Sequence, residues 1–257
     1  MKLDRPIPKS LYKYRSVDRA EEIIRDKKVY FANVKELNDP EDCRFDISLE
    51  RGFGHRLLGR NPGYTRQQIL RKRKQAEEKL RRTVHGLLHR HLGVFSLSAK
   101  NDDPQLWCHY GYMGTGICLE FRFQLGDPAH EFFLTHGRRG PRLFSYVTYS
   151  KRKPVVVLSE TLAMDDTDKC IKIAVLTKTS RWTYEQEWRL LDAHDGAGTK
   201  PFPPGLLAGL ILGPETPTED RVRILQAAKE YPCPLKTQEA VRNPQGGLTI
   251  VPFRAMS

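Results

Sequence analysis

The segment Trp182-Thr183-Tyr184-Glu185-Gln186-Glu187-Trp188-Arg189-Leu190 carries two carboxylates and a guanidinium at alternate positions. In a strand the side-chain period is two. Thr183, Glu185, Glu187 and Arg189 then share one face, and Tyr184, Gln186, Trp188 and Leu190 take the other. Carboxylates spaced about 7 Å along a strand repel each other, and Arg189 offsets that repulsion. Shielded from water, such a pair can do acid–base or electrostatic catalysis. On an open face it is a solvated charged ladder. A second cluster is Tyr12-Lys13-Tyr14-Arg15, with rings to stack a planar group and cations to neutralise phosphate. The same four residues also fit an edge strand with its aromatics inward. A third cluster is Ser96 and Ser98, followed by Trp107, His109 and Tyr110. Strand hydroxyls can hold a carboxylate or a ribose, and a histidine such as His109 can serve as a general acid or base. His109 has no partner at nucleophile spacing, and Trp107 and Tyr110 also read as core aromatics.

Other chemistries find no residues to carry them. HExxH, GxSxG, GxGxxG and GxxxxGK[ST] are missing from the sequence. Asp39, Asp42 and Asp46 match no standard metal-site spacing, so no metal is expected. Cys43, Cys108, Cys118, Cys170 and Cys233 are odd in number, scattered and never a CxxC pair. They read as free thiols of a cytoplasmic protein.

Short strands are expected at 11–14, 29–32, 94–98, 116–123, 143–149 and 155–158, within 182–191, and at 207–212. Each is bounded by turn residues or alternates polar with apolar. Helices are expected at 16–27 with Ser16 as N-cap, at 65–91, at 106–112, at 165–178, and at 218–231 with Thr218 as cap. Residues 36–40 form a turn before Pro40. Loops cover 51–64 and 126–142, and 247–253 closes in an extended segment. The order is no regular βαβ alternation. It predicts an α+β fold with a mixed, mostly antiparallel or split sheet. The 257 residues form one domain, 1–257, with a basic loop–helix insertion at 51–92.

Hydrophobic residues make up 39% of the chain and charged residues 29%, enough apolar content for a core and against wholesale disorder. The chain opens without the apolar run of a signal peptide, and no run reaches the roughly 20 residues of a membrane helix. Lys and Arg outnumber Asp and Glu by 43 to 31. That excess favours acidic or nucleotide partners, or simply keeps the protein soluble. Arg71, Lys72, Arg73 and Lys74 concentrate it on the helix at 65–91, either as a solvated face or as a contact for nucleic acid.

Together, LYKYRS, VYFANVKELNDPEDC, FSLS, LWCHYG, GICLEF and WTYEQEWRL resemble a widespread bacterial family known only as a domain of unknown function. The similarity runs in order from Leu11 to Leu191. Some members of such families are linked to abortive infection and phage defence, so the resemblance implies an intracellular toxin or defence effector. A more remote resemblance is to the ADP-ribosyltransferase fold, which uses a basic first strand, a middle Ser or Tyr motif and a late Glu. Here those places fall to Lys13 or Arg15, to Ser96 and Ser98, and to Glu185-Gln186-Glu187, which is similar to the ExE of the arginine-modifying branch. The resemblance implies NAD as substrate, with Glu187 stabilising the ribose cation and Glu185 activating the acceptor. It further implies that Ser98 orients Glu187, that Tyr12 or Tyr14 stacks nicotinamide, and that Tyr110 lines the site. Lys13 departs from the expected His or Arg, and Ser-Thr-Ser is missing. Two other expectations stand beside this one: a nucleic-acid-binding or nucleic-acid-processing protein acting through the helix at 65–91, and a non-catalytic interaction module.

Overall fold

The computed structural model describes residues 5–50, 63–124, 126–158 and 173–254. The chain starts with strand β1 (Leu11–Arg15), helix α1 (Val17–Asp26) and strand β2 (Lys28–Asn33). The Ser16 hydroxyl accepts the Arg19 N–H and caps α1, as the sequence predicts. Val17, Ala20, Ile23 and Ile24 fall at helical spacing, and this face is buried. Next come β3 (Asp46–Leu49), α2 (Arg66–His91), β4 (Gly93–Ser98), α3 (Pro104–His109) and β5 (Ile117–Phe121). Helix α4 (Pro128–Thr135) leads to β6 (Leu143–Tyr146), β7 (Thr148–Ser150), β8 (Val155–Leu158) and β9 (Thr177–Thr179). The chain then forms β10 (Glu187–Asp192), β11 (Gly198–Pro201), β12 (Leu207–Leu212), α5 (Thr218–Lys229), β13 (Lys236–Arg242) and β14 (Leu248–Pro252).

These elements make an α+β fold around a ten-stranded sheet ordered β11-β2-β4-β1-β5-β12-β13-β14, with β10 and β6 joined to it through β4. Its pairs are antiparallel except β12 with β13. Two small parallel pairs, β3–β8 and β7–β9, lie beside it. Strand β4 governs the site. β10 pairs with β4 along its whole length, Glu187 opposite Ser98 through Asp192 opposite Gly93. The other edge of β4 is shared: β2 meets it only at Val94 and Gly93, and β1 only at Ser98. The sheet therefore opens between β1 and β2 over Phe95, Ser96 and Leu97.

Alternation divides the interior. Phe95, Leu97, Trp188 and Leu190 point into the main core with α1 and α5. On the opposite face a cluster around Phe45, Val94 and Leu191 and another around Tyr14, Trp107 and Ile211 flank a polar strip. Ser96, Ser98, Glu187 and Arg189 form that strip, because they alternate with the core residues.

Several local expectations change. The single strand expected at 143–149 is two, β6 on β10 and β7 on β9, with Val147 between them. Of the expected helix 165–178, residues 165–172 lie outside the described residues, and Thr177–Thr179 is strand. Of the expected loop 51–64, and so of the insertion 51–92, residues 51–62 lie outside them too. Helix α3 starts earlier and ends earlier than 106–112, because Asp103 caps it and Pro104 fits its first turn. Helix α5 has Pro217 at its N-cap, and no side chain of that residue, nor of Thr218, caps it there. Leu92 closes α2, one residue past the expected end at 91. Gly93 opens β4, where a Cβ would strike the Gly196 carbonyl.

Candidate active site

A cavity of about 210 Å³ fills the opening between β1 and β2. Its walls include Tyr12, Lys13, Tyr14 and Arg15 of β1, Ser96 and Ser98 of β4, Tyr110 beyond α3, and Lys178, Glu185, Glu187 and Arg189. Three segments far apart in sequence thus converge, because β1 and β10 both pair with β4. Tyr12 lies opposite Ser98, and Ser98 lies opposite Glu187.

The expected unbroken strand through 183–189 is not formed. Ser180–Glu185 is a 3-10 turn, and Gln186 has a left-handed φ of 43°. Glu187 is the first residue of β10 and does share a face with Arg189. Glu185 reaches the same place from the turn, and Thr183 turns back to the Ser180 carbonyl. The alternation of WTYEQEWRL imitates a strand, and the turn breaks it one residue before Glu187.

Arg189 is wholly buried, and all five of its N–H donors are used. It forms a fork to Asp42 at 3.0 and 2.5 Å and another to Glu187 at 2.8 and 3.1 Å, and it donates to the Val175 carbonyl at 2.6 Å. Lys178 links the two carboxylates, 2.6 Å from Glu185 and 3.2 Å from Glu187. Burial opposes ionisation of Glu187, but Arg189 and Lys178 outweigh it and hold the carboxyl well below its ordinary range. Its oxygens accept three hydrogen bonds, two from Arg189 and one from Lys178.

Glu185 differs. Among the described residues its Oε1 accepts only the Tyr110 hydroxyl, at 2.6 Å, and its Oε2 only Lys178. Burial pushes its pKa up, against the pull of Lys178 and helped by Glu187. It is the carboxylate with unused lone pairs. Burial likewise pushes the Tyr110 phenol up, helped by Glu185.

Lys13 reaches into the opening and donates to the Ser96 carbonyl at 2.5 Å, a group that no neighbouring strand satisfies on that edge. Burial, with Arg15 adding to it, pulls Lys13 well below its usual value. Arg15 donates to the Tyr14 carbonyl and has no carboxylate partner among the described residues; burial pulls it down to about 10.

Some expected roles move. The Ser98 hydroxyl donates to the Glu185 carbonyl at 2.6 Å and accepts the Lys100 N–H, so it fixes the turn and not the Glu187 carboxylate. Ser96 shares the polar face with Glu187 and is the serine whose hydroxyl helps hold that carboxyl ionised. Tyr14 is 4% exposed, packs edge-on against Trp107 at 5.1 Å and donates to the Lys100 carbonyl, leaving Tyr12 as the freer ring. His109 lies outside the cavity lining, against Trp182 and Tyr184. Of the basic run, Lys72 donates to the Tyr64 hydroxyl, and Arg73 is taken by Glu77 and the Leu49 carbonyl. Only Arg71 and Lys74 of those four stand exposed.

Sequence reasoning missed Asp42, Lys178 and Tyr149, whose hydroxyl accepts the Glu187 N–H at 2.9 Å. The loop that follows β2 is clamped twice over the site, by Asp42 on Arg189 and by Asp39 on Arg181 at 2.6 Å. Among the described residues no His, Cys, Asp and Glu group could hold a metal ion, and no helix is long and apolar enough to cross a membrane.

No curated protein and no solved structure matches the chain. Residues 106–190, the stretch that contains Tyr110, Lys178, Glu185, Glu187 and Arg189, match the model of a protein family of unknown function, DUF2971.

Proposed function

We propose that this chain cleaves NAD in the manner of ADP-ribosyltransferases, transferring ADP-ribose to an acceptor or to water. The observation that carries the reading is Glu185. It is a buried carboxylate with a raised pKa and, among the described residues, one partner on each oxygen, at a cavity bordered by the Tyr12 ring, the Lys13 amine and the Arg15 guanidinium. The cavity is smaller than the roughly 300 Å³ at which pockets begin to enclose a drug-sized ligand. It takes the nicotinamide–ribose end, and the diphosphate meets Arg15 and Lys13. In the reaction the bond from ribose C1′ to nicotinamide nitrogen breaks, and its electron pair leaves with neutral nicotinamide. The ribose cation is then captured by water or an acceptor nucleophile, whose proton passes to Glu185. The ionised Glu185 carboxylate beside the ribose favours a developing cation there. Glu185 thereby keeps the role implied by resemblance, activation of the acceptor, and Glu187 anchors the site instead of meeting the ribose cation.

The test is nicotinamide release from NAD by purified protein, alone and with cell extract as a source of acceptor. Release by the wild type is the expected result, and its absence in both conditions overturns the proposal. Uncontrolled NAD loss would stop the growth of the host cell, which suits a toxin or phage-defence effector. An interaction module would instead tolerate Glu185→Gln without change in phenotype.

One observation favours nucleic acid as a partner. Helix α2 holds nine Lys and Arg against two Glu, and none of its residues is fully buried. Arg71, Lys74 and Lys79 are exposed and have no ion pair among the described residues. Binding to a 20-base-pair DNA duplex is expected to weaken steeply with salt. Reversing these three charges is expected to reduce the log–log slope by about 2–3. A flat salt response in the wild type would end this reading.

A further inference from the structure

A second cavity, of about 640 Å³, shares no lining residue with the first. It lies between α4 with the loop that follows it and the edge strand β11. Its size falls within the range of ligand pockets. Its rim is a short turn of sequence Gly137-Arg138-Arg139-Gly140. The Gly137 N–H donates to the Gly140 carbonyl at 2.6 Å, and the Arg142 N–H donates to the Thr135 carbonyl at 2.8 Å. Both glycines press on the segment 192–195. A Cβ at Gly137 would meet Asp195 at 2.6 Å, and one at Gly140 would meet the His194 ring at 2.6 Å. The Arg138 backbone N–H is bonded to Asp195 as well. The turn is thus fastened through its backbone, and its two guanidinium groups are left at the rim.

The cations deeper in the cavity are already neutralised. Arg142 and Lys200 lie 2.8 and 3.4 Å from the buried Asp192. Arg138 has no ion pair among the described residues, and Arg139 is 74% exposed with one carboxylate 3.7 Å away. Beside them Phe132 is 61% exposed and stacks on His136, with rings 5.2 Å apart and 6° from parallel. An exposed flat ring next to two under-used guanidinium groups matches one ligand chemistry: a planar base joined to a phosphate.

We propose that this cavity binds a phosphorylated nucleoside, its base on the Phe132 ring and its phosphate on Arg138 and Arg139. The ligand is either a free nucleotide or the phosphorylated end of a nucleic-acid strand. The site stands independently of the proposed NAD cleavage.

The test is calorimetric titration of the full chain with AMP, with adenosine, and with a single-stranded oligonucleotide bearing a 5′-phosphate or a 5′-hydroxyl. AMP is expected to bind at least about tenfold more tightly than adenosine. The double variant Arg138→Glu, Arg139→Glu should weaken AMP at least tenfold, and Phe132→Ala about five- to a hundredfold. A preference for the 5′-phosphorylated oligonucleotide over AMP would assign the strand end as ligand, and the reverse would assign the free nucleotide. Lys13→Glu, in the first cavity, should leave this binding unchanged. If Lys13→Glu abolishes AMP binding while the Arg138, Arg139 double variant keeps it, the nucleotide sits in the first cavity and the inference is overturned. No saturable AMP or oligonucleotide binding overturns it as well. Nicotinamide release, measured in parallel, should be unaffected by the double variant, so the two proposals fail separately.

Discussion

Arg189→Leu is expected to cost about 3–5 kcal/mol of folding stability, the usual consequence of removing one partner from a buried ion network. Domains are stable by about 5–15 kcal/mol, so this is a large fraction of the total. The reason is geometric. Arg189 touches both Asp42 and Glu187 with a planar fork, and it also satisfies the Val175 carbonyl. Leucine would leave both carboxylates buried, with only Lys178, at 3.7 Å from Asp42 and 3.2 Å from Glu187, to offset them. Arg189→Lys should lie between the two, because it keeps the charge and loses the fork. Urea unfolding reads the effect, and a loss below about 1 kcal/mol for Arg189→Leu would refute the network's structural role. The same network predicts acid sensitivity. The folded pKa of Glu187 lies below its unfolded value of about 4.3. Its contribution is therefore present above that pH and is lost as pH falls from there toward the folded value. Arg189→Leu should flatten this acid limb.

How far the site could be read from sequence depends on the kind of contact. Glu185, Glu187, Ser96, Ser98, Tyr12, Lys13 and Tyr110 were identifiable because their types and spacing are unusual for plain strands, and the structure brings them to one cavity. The mixed, mostly antiparallel sheet was legible from strand order alone. What was not legible depends on distant chain. Asp42 sits in what reads as an ordinary Asn-Asp-Pro turn, and only its position across from β10 makes it the partner of Arg189. Lys178 reads as the polar end of a helix, yet it is a strand residue buried between two carboxylates. The turn at 180–185 was hidden because period-two alternation is also what a short turn followed by a strand can show. Gln186, with its left-handed backbone, has no side-chain signature that reveals it. The exchange of Ser96 and Ser98 follows from this turn, which brings the Glu185 carbonyl over Ser98.

Glu185→Gln is expected to lower nicotinamide release from NAD by about 10²–10⁴-fold, the range for loss of a positioned acid–base group. It should leave the thermal midpoint nearly unchanged, because glutamine still offers an oxygen to Tyr110 or Lys178. Glu187→Gln should behave differently: it removes the carboxylate that one Arg189 fork and Lys178 neutralise, so activity and stability should fall together. The pH profile separates the two roles. The proposed step needs Glu185 ionised to accept a proton, and burial has raised its pKa. The rate should therefore rise with pH along a limb placed above the ordinary glutamate value of about 4.3, and that limb should vanish in Glu185→Gln. Tyr110→Phe removes the hydroxyl that donates to Oε1 at 2.6 Å and stabilises the ionised form, so it should move the limb to higher pH while leaving the plateau rate within about tenfold. Persistence of an unshifted limb in Glu185→Gln would assign proton transfer to another group. The carboxylate with free lone pairs would then serve only to hold Tyr110 and Lys178 in place.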